Sequence, residues 1–225
     1  MSYSLRPSLS YCLIDGHPIF LDLDEDRYFK LSGSLEEVFL GQVHDGHVDS
    51  SDRPALQALV EHGIVVPEPA PDDRGQAAPP AARSAIEMAR TSPRFGVATM
   101  LEVFLVLWRV HRRLRGLPLK HVVDEVVRFR EVTCSRELPE GLDEARLLAE
   151  TVRFMRSRVY VPIETCCLLD SLALTRFLAS RHIATRIVFG VTDTPFSAHC
   201  WVQFGDLVLT DTVGNTAAYT PIRTI

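Results

Sequence analysis

A thiol, an imidazole and a carboxylate occur in that order in the last third of the chain, at Cys167, His199 and Asp211. Cys167-Leu-Leu-Asp-Ser171-Leu-Ala-Leu174 reads as a helix start, and Ser197-Ala-His199-Cys-Trp201-Val202 and Leu207-Val-Leu-Thr-Asp211 read as strands. A cysteine nucleophile needs a base to take its proton and a third group to orient that base. The chemistry is acyl transfer to sulfur. Cys167 attacks a peptide carbonyl, His199 protonates the leaving amine, and water then hydrolyses the thioester with His199 as base. In the first turn of a helix, unpaired N–H groups and the dipole favour negative charge, so the Cys167 thiol is expected below its ordinary pKa.

Each residue has a plainer alternative. Cys167 could be a small packed residue, His199 a core histidine beside Trp201, and Asp211 a strand-end cap. Cys166 is the rival nucleophile. It points about 100° away from Cys167 on a helix, so one of the two faces His199. Asp206, Asp193 and Asn215 are weaker candidates for the third role. One oxyanion donor is the Cys167 backbone N–H. The second is open: Val161 stands where papain-like enzymes carry glutamine, and the Tyr160 hydroxyl is the alternative. Strand register supplies a test. A two-residue turn at Gly205-Asp206 sets Cys200 opposite Asp211, whereas a three-residue connection sets His199 opposite Asp211. Opposed residues share a face, so the triad requires an odd-numbered loop or a bulge.

The elements that must hold these groups follow from periodicity. Helices are expected over 84–90, 93–115, 119–129, 142–157 and from about Cys166 to Ser180, the last capped by Thr165. Strands are expected over 185–191, 199–204 and 207–211. A thiol-bearing helix followed by an antiparallel sheet carrying His and Asp is α+β. The arginines at 109, 112, 113 and 115, with Lys120, close a helix, where cations are favoured; an acidic partner could also dock there.

Composition bounds the class. The chain has 225 residues, 46% hydrophobic and 24% charged, as in an ordinary globular protein with a real core. Its formal charge of -5 argues against a general nucleic-acid binder. No apolar run reaches the roughly 18 residues of a membrane span, and no secretory signal is expected at the N-terminus. Five cysteines, two of them adjacent, do not suggest a disulfide framework, and a cytoplasmic setting fits. Cys12 and Cys134 read as packing residues. No metal spacing is found among the cysteines or at His44, His47 and His62, so neither metal nor cofactor is expected.

Residues 67–83, rich in proline and alanine, read as a flexible linker that cannot bury enough surface to order itself. Before it, residues 1–66 form a small winged-helix-like unit. Tyr11–Ile14, Ile19–Leu23 and Tyr28–Leu31 make a three-strand meander around an Asp15-Gly16 turn. A helix follows through Val43, with Ser34 and Glu37 as a capping box, and a second runs from about Arg53 to a stop at Gly63. An exposed sheet edge at Tyr28, Phe29, Lys30 and Leu31 can accept an extended peptide, and Leu56, Leu59 and Val60 would supply an apolar groove. These side chains could instead form the unit's core. Residues 84–225 form the catalytic domain.

Taken together, Cys167-Leu-x-x-Ser171-Leu-Ala173, Pro195-Phe-Ser-Ala-His199-Cys-Trp201-Val202 and Thr210-Asp211 resemble the B proteins of lasso-peptide biosynthesis. Cys200 departs from the small residue expected there. The resemblance implies a transglutaminase-like fold with a papain-like arrangement and a cysteine endopeptidase activity. That activity removes the leader of a ribosomally made precursor peptide. Residues 1–66 resemble the PqqD-like recognition element of such systems. The resemblance also implies a partner, an ATP-dependent asparagine synthetase-like macrocyclase. Two other readings remain open: a transglutaminase-type acyl transferase, and a non-catalytic peptide- or DNA-binding protein, the last disfavoured by the acidic balance.

Overall fold

The computed structural model describes residues 3–41, 53–67, 78–88, 96–134 and 144–225. The chain divides into two compact units, Met1–Gly75 and Gln76–Ile225. His44, His47 and most of the expected linker lie outside the described residues.

In the first unit, β1 (Ser4–Leu5) pairs with β5 (Val65–Val66), while β2 (Leu9–Ile14), β3 (His17–Asp22) and β4 (Arg27–Lys30) form the expected meander. Asp15 and Gly16 both have positive φ, as the tight turn between β2 and β3 requires. Helices α1 (Ser34–Leu40) and α2 (Arg53–Glu61) cover the sheet. The capping box does not form. Gly33 is the N-cap, at φ 55°, and Ser34 is already helical with no side-chain cap bond. Glycine at that position takes the turn that a serine cap would otherwise make. The core is aromatic: Phe20 stacks on Phe29 at 5.0 Å and meets Phe39 edge-on at 4.8 Å.

The second unit orders β6 (Arg83–Ser84), α3 (Ala85–Met88), α4 (Val97–Gly116), α5 (Leu119–Cys134), α6 (Glu144–Arg158) and α7 (Cys167–Ala179) before the sheet strands. Those are β7 (Arg186–Thr192), β8 (Ser197–Phe204), β9 (Leu207–Val208) and, after the short α8 (Val213–Ala217), β10 (Thr220–Thr224). The sheet order is β10-β7-β8-β9-β6, antiparallel except for the β6–β9 pair. Mixed helix and sheet with this segregation is α+β. Helix α7 is buried almost all round, as its nearly uninterrupted apolar sequence dictates. Helices α4, α5 and α6 pack on it from outside. Arg181, just past its end, ties α4 and α6 together through Glu102 and Glu150, both at 2.8 Å.

The stretch read as a linker to Arg83 differs in its last residues, which are seated on the sheet. Ala78 and Ala81 pack against the Val188, Trp201 and Val208 cluster, and Gln203 donates to the Pro79 carbonyl at 2.6 Å. Arg83 reaches Asp206 and Glu144 at 2.8 and 2.7 Å. Composition hid this because small side chains and a proline carbonyl need only a groove and a donor supplied from far along the chain. No described helix is long and apolar enough to cross a membrane.

Candidate active site

Helix α7 begins at Cys167, with Cys166 as its N-cap in extended conformation; Thr165 does not cap it. The Cys200 backbone N–H donates to the Cys167 thiol, and Ser171, one helical turn on, donates its hydroxyl to the Cys200 carbonyl at 3.2 Å. Residues four apart share a helix face, so α7 engages both backbone polar groups of one β8 residue, Cys200. Those groups lie on an open edge of β8. The β8–β9 ladder pairs only Gln203 with Val208 and Phe204 with Leu207. Leu209 still donates to the Val202 carbonyl at 2.8 Å, but the Val202 N–H turns to the Thr210 hydroxyl at 3.0 Å. N–H groups two residues apart point the same way along a strand, so the Cys200 N–H emerges where β9 has left the ladder. The thiol lies at that edge, at the peptide that joins His199 to Cys200.

The register test has an instructive outcome. The turn is the two-residue Gly205-Asp206, which in a continuous ladder would set Asp211 opposite Cys200. The ladder instead ends at Val208, and the departing chain swings the Asp211 carboxylate onto His199, with Nε2 2.5 Å from Oδ2. The break does the work expected of an odd loop. A carboxylate only accepts, so Nε2 is the donor of this pair and Nδ1 is the ring nitrogen not engaged by Asp211.

Asp211 is held from three directions. Besides His199, Asn215 donates Nδ2 to Oδ2 at 2.6 Å and the Thr212 N–H donates to Oδ1 at 2.7 Å. Ser84 donates to its backbone carbonyl at 2.6 Å. The imidazole has two aromatic neighbours, Trp201 with ring centroids 5.9 Å apart and Tyr219 at 5.1 Å. Gly190, directly opposite His199 in β7, makes room for this arrangement, since a Cβ there would stand 2.7 Å from the Trp201 ring.

The loop into α7 has its own anchor. Arg158, buried at the end of α6, meets Asp170 at 2.6 Å and donates to the carbonyls of Val161, Ile163 and Glu164. Burial raises the Asp170 carboxyl, and Arg158 opposes that shift. Arg158, Ser171, Ser84, Tyr219 and Asn215's supporting role were not picked out from the sequence. Ser84 and Tyr219 act across many residues, whereas Ser171 and Asn215 stand four residues from Cys167 and Asp211, a local spacing that could have found them.

The expectation for the sulfur changes. The Cys167 thiol lies above its ordinary value, not below. Although the residue keeps an exposed face, crowding of the sulfur by α7 and β8 outweighs the N–H bond from Cys200. Cys200 is buried and burial pushes its thiol far up, as it pushes Cys12 to about 11. Of the other acids, Asp206 turns to Arg83, which lowers its pKa, and Asp193 lies in the β7–β8 turn.

The residues expected to form a peptide groove are dispersed. Tyr28, Phe29, Leu31 and Val60 are half-buried and Lys30 is exposed, but Leu56 and Leu59 are sealed in the core. Apolar helix residues facing an aromatic sheet are drawn inward rather than left to line an opening. A cavity of about 230 Å³ beside β4 is lined by Phe29, Leu31, Arg6 and Arg27. A second, of about 490 Å³, lies between α1 and α2, against Pro54, Ala55 and Ala58.

A family model described as the transglutaminase-like superfamily matches residues 104–224. The chain is also 47% identical over 72 residues to the microcin J25-processing protein McjB of Escherichia coli. That stretch is 32% of this chain and 35% of the relative, so the likeness spans about a third of each. No solved structure matches.

Proposed function

The chain belongs to the transglutaminase-like superfamily, and on that premise we propose that it is a leader peptidase of lasso-peptide biosynthesis. It hydrolyses the leader–core bond of a ribosomally made precursor with Cys167, His199 and Asp211. The observation that carries this reading is the geometry at one strand edge. The thiol at the start of α7 meets the peptide after His199, and His199 in turn meets Asp211. The likeness to McjB, whose name states that it processes microcin J25, supports the substrate class.

His199 Nδ1 takes the thiol proton as sulfur attacks the scissile carbonyl, then hands it to the leaving amine. Water attacks the thioester with His199 again as base, and Asp211 stabilises the imidazolium at each stage. The Cys167 N–H, at the helix start, donates to the tetrahedral oxyanion. The first unit acts as the PqqD-like recognition element. The leader adds a strand along Tyr28–Leu31, with side chains in the cavity lined by Phe29 and Leu31. Tethering such a unit to the catalytic one raises the local substrate concentration, to the millimolar range for a short tether. The core peptide then passes to an asparagine synthetase-like macrocyclase, which closes the ring.

The test is incubation of the intact chain with the precursor peptide encoded near its gene, followed by mass spectrometry. Hydrolysis yields leader and core whose masses sum to precursor plus one water. Products that join the acyl fragment to an amine would instead make the chain an acyl transferase. An unchanged precursor that nevertheless binds would make it a peptide-binding protein.

A further inference from the structure

Helix α4 carries an exposed apolar stripe that the catalytic reading leaves unused. Val97, Leu101, Leu105 and Trp108 are 82%, 57%, 39% and 40% exposed, although large apolar side chains usually face inward. Their spacing of four, four and three residues puts them on one helix face. The opposite face, with Val103, Leu107 and Val110, is buried against the rest of the unit. Beyond Trp108 the exposed face turns basic. Arg109, Arg112, Arg113 and Arg176 line a cleft of about 540 Å³ together with Trp108, and Glu125 is the one acid lining it. Arg112 lies over the Trp108 ring at 5.0 Å. The chain as a whole is acidic, at -5, so this concentration of guanidinium groups runs against its average.

We propose that this face of α4 binds the surface of an anionic phospholipid bilayer. A convex row of aliphatic side chains suits a deformable apolar phase. An amphipathic helix lying in the interface buries its apolar face about 5–10 Å into the headgroup boundary. Trp108, at the junction of apolar and basic halves, is the side-chain type favoured at that boundary. The cleft beyond it presents planar forks that match phosphate oxygens in pairs. Charge then sets orientation, because the acidic remainder of the molecule is repelled by the same surface. This site is independent of peptide cleavage.

The full chain, carrying Cys167→Ala so that turnover plays no part, is mixed with vesicles of phosphatidylglycerol and phosphatidylcholine or of phosphatidylcholine alone. Sedimentation with the anionic vesicles is expected to exceed that with neutral ones by about tenfold or more. Tryptophan emission should shift to the blue and report on Trp108, because Trp201 is 3% exposed. Inorganic phosphate alone should leave the emission unchanged. The pair Leu101→Glu and Leu105→Glu, at exposed positions, should remove about nine-tenths of the binding. The pair Arg109→Gln and Arg112→Gln should erase the preference for anionic lipid. Equal binding to both vesicles, or indifference to these substitutions, overturns the proposal. So does absence of vesicle binding with the stripe protected in a complex with another protein, which would make the face a protein interface.

Discussion

Asp211 receives three donors and the His199 ring has two aromatic neighbours, whereas Cys167 meets the sheet through one backbone N–H at an exposed helix start. The acid–imidazole half is therefore built before a substrate arrives. The sulfur half is open to approach, and burial keeps the proton on sulfur at neutral pH. In the proposed mechanism such a division lets a peptide reach Cys167 while His199 stays in one orientation. Preorganised charge stabilisation is effective because it needs no rearrangement during reaction.

The contrast can be broken most severely at sulfur. Cys167→Ala should lower cleavage by at least about 10⁴-fold while leaving precursor binding unchanged, read by mass spectrometry and calorimetry. Cys166→Ala should cleave normally; the opposite pattern would move the nucleophile by one residue. Asp211→Asn comes next. An amide in place of the acceptor disfavours the tautomer with Nδ1 free, and turnover should fall by about 10³-fold with little change in thermal midpoint.

The pH dependence of alkylation sharpens the sulfur half. A pKa raised by burial means that the protonated form dominates at pH 7 and the thiolate appears as pH climbs. Iodoacetamide labelling of Cys167 in the free protein should thus keep rising through pH 8 to 9. A plateau already reached by pH 7 would mean a resting thiolate–imidazolium pair and would remove the asymmetry. The smallest effect is expected at Asn215, which is exposed and touches the acid rather than the reacting atoms. Asn215→Ala should lower kcat about tenfold at unchanged KM. Asn215→Asp, which sets a second carboxylate beside the first, should lose most at low pH, where Asp211 takes up a proton more readily.

Local signals made much of this legible in the chain alone. The Asp15-Gly16 turn, the α2 stop at Gly63 and the helix start at Cys167 each depend on the conformational limits of a few neighbouring residues. The order of thiol, imidazole and acid is likewise written in the primary structure, and so is the basic end of α4. What the tertiary structure alone decided is how those groups meet. The β8–β9 ladder ends at Val208 because the Thr210 hydroxyl takes the Val202 N–H, and that exit carries Asp211 to His199. Pro79 joins the sheet from a stretch whose composition signals a tether, Ser84 just beyond it reaches Asp211, and Arg158 meets Asp170 twelve residues on. Contacts of that kind depend on donors and acceptors brought together by packing, and separation along the chain leaves no periodic trace of them.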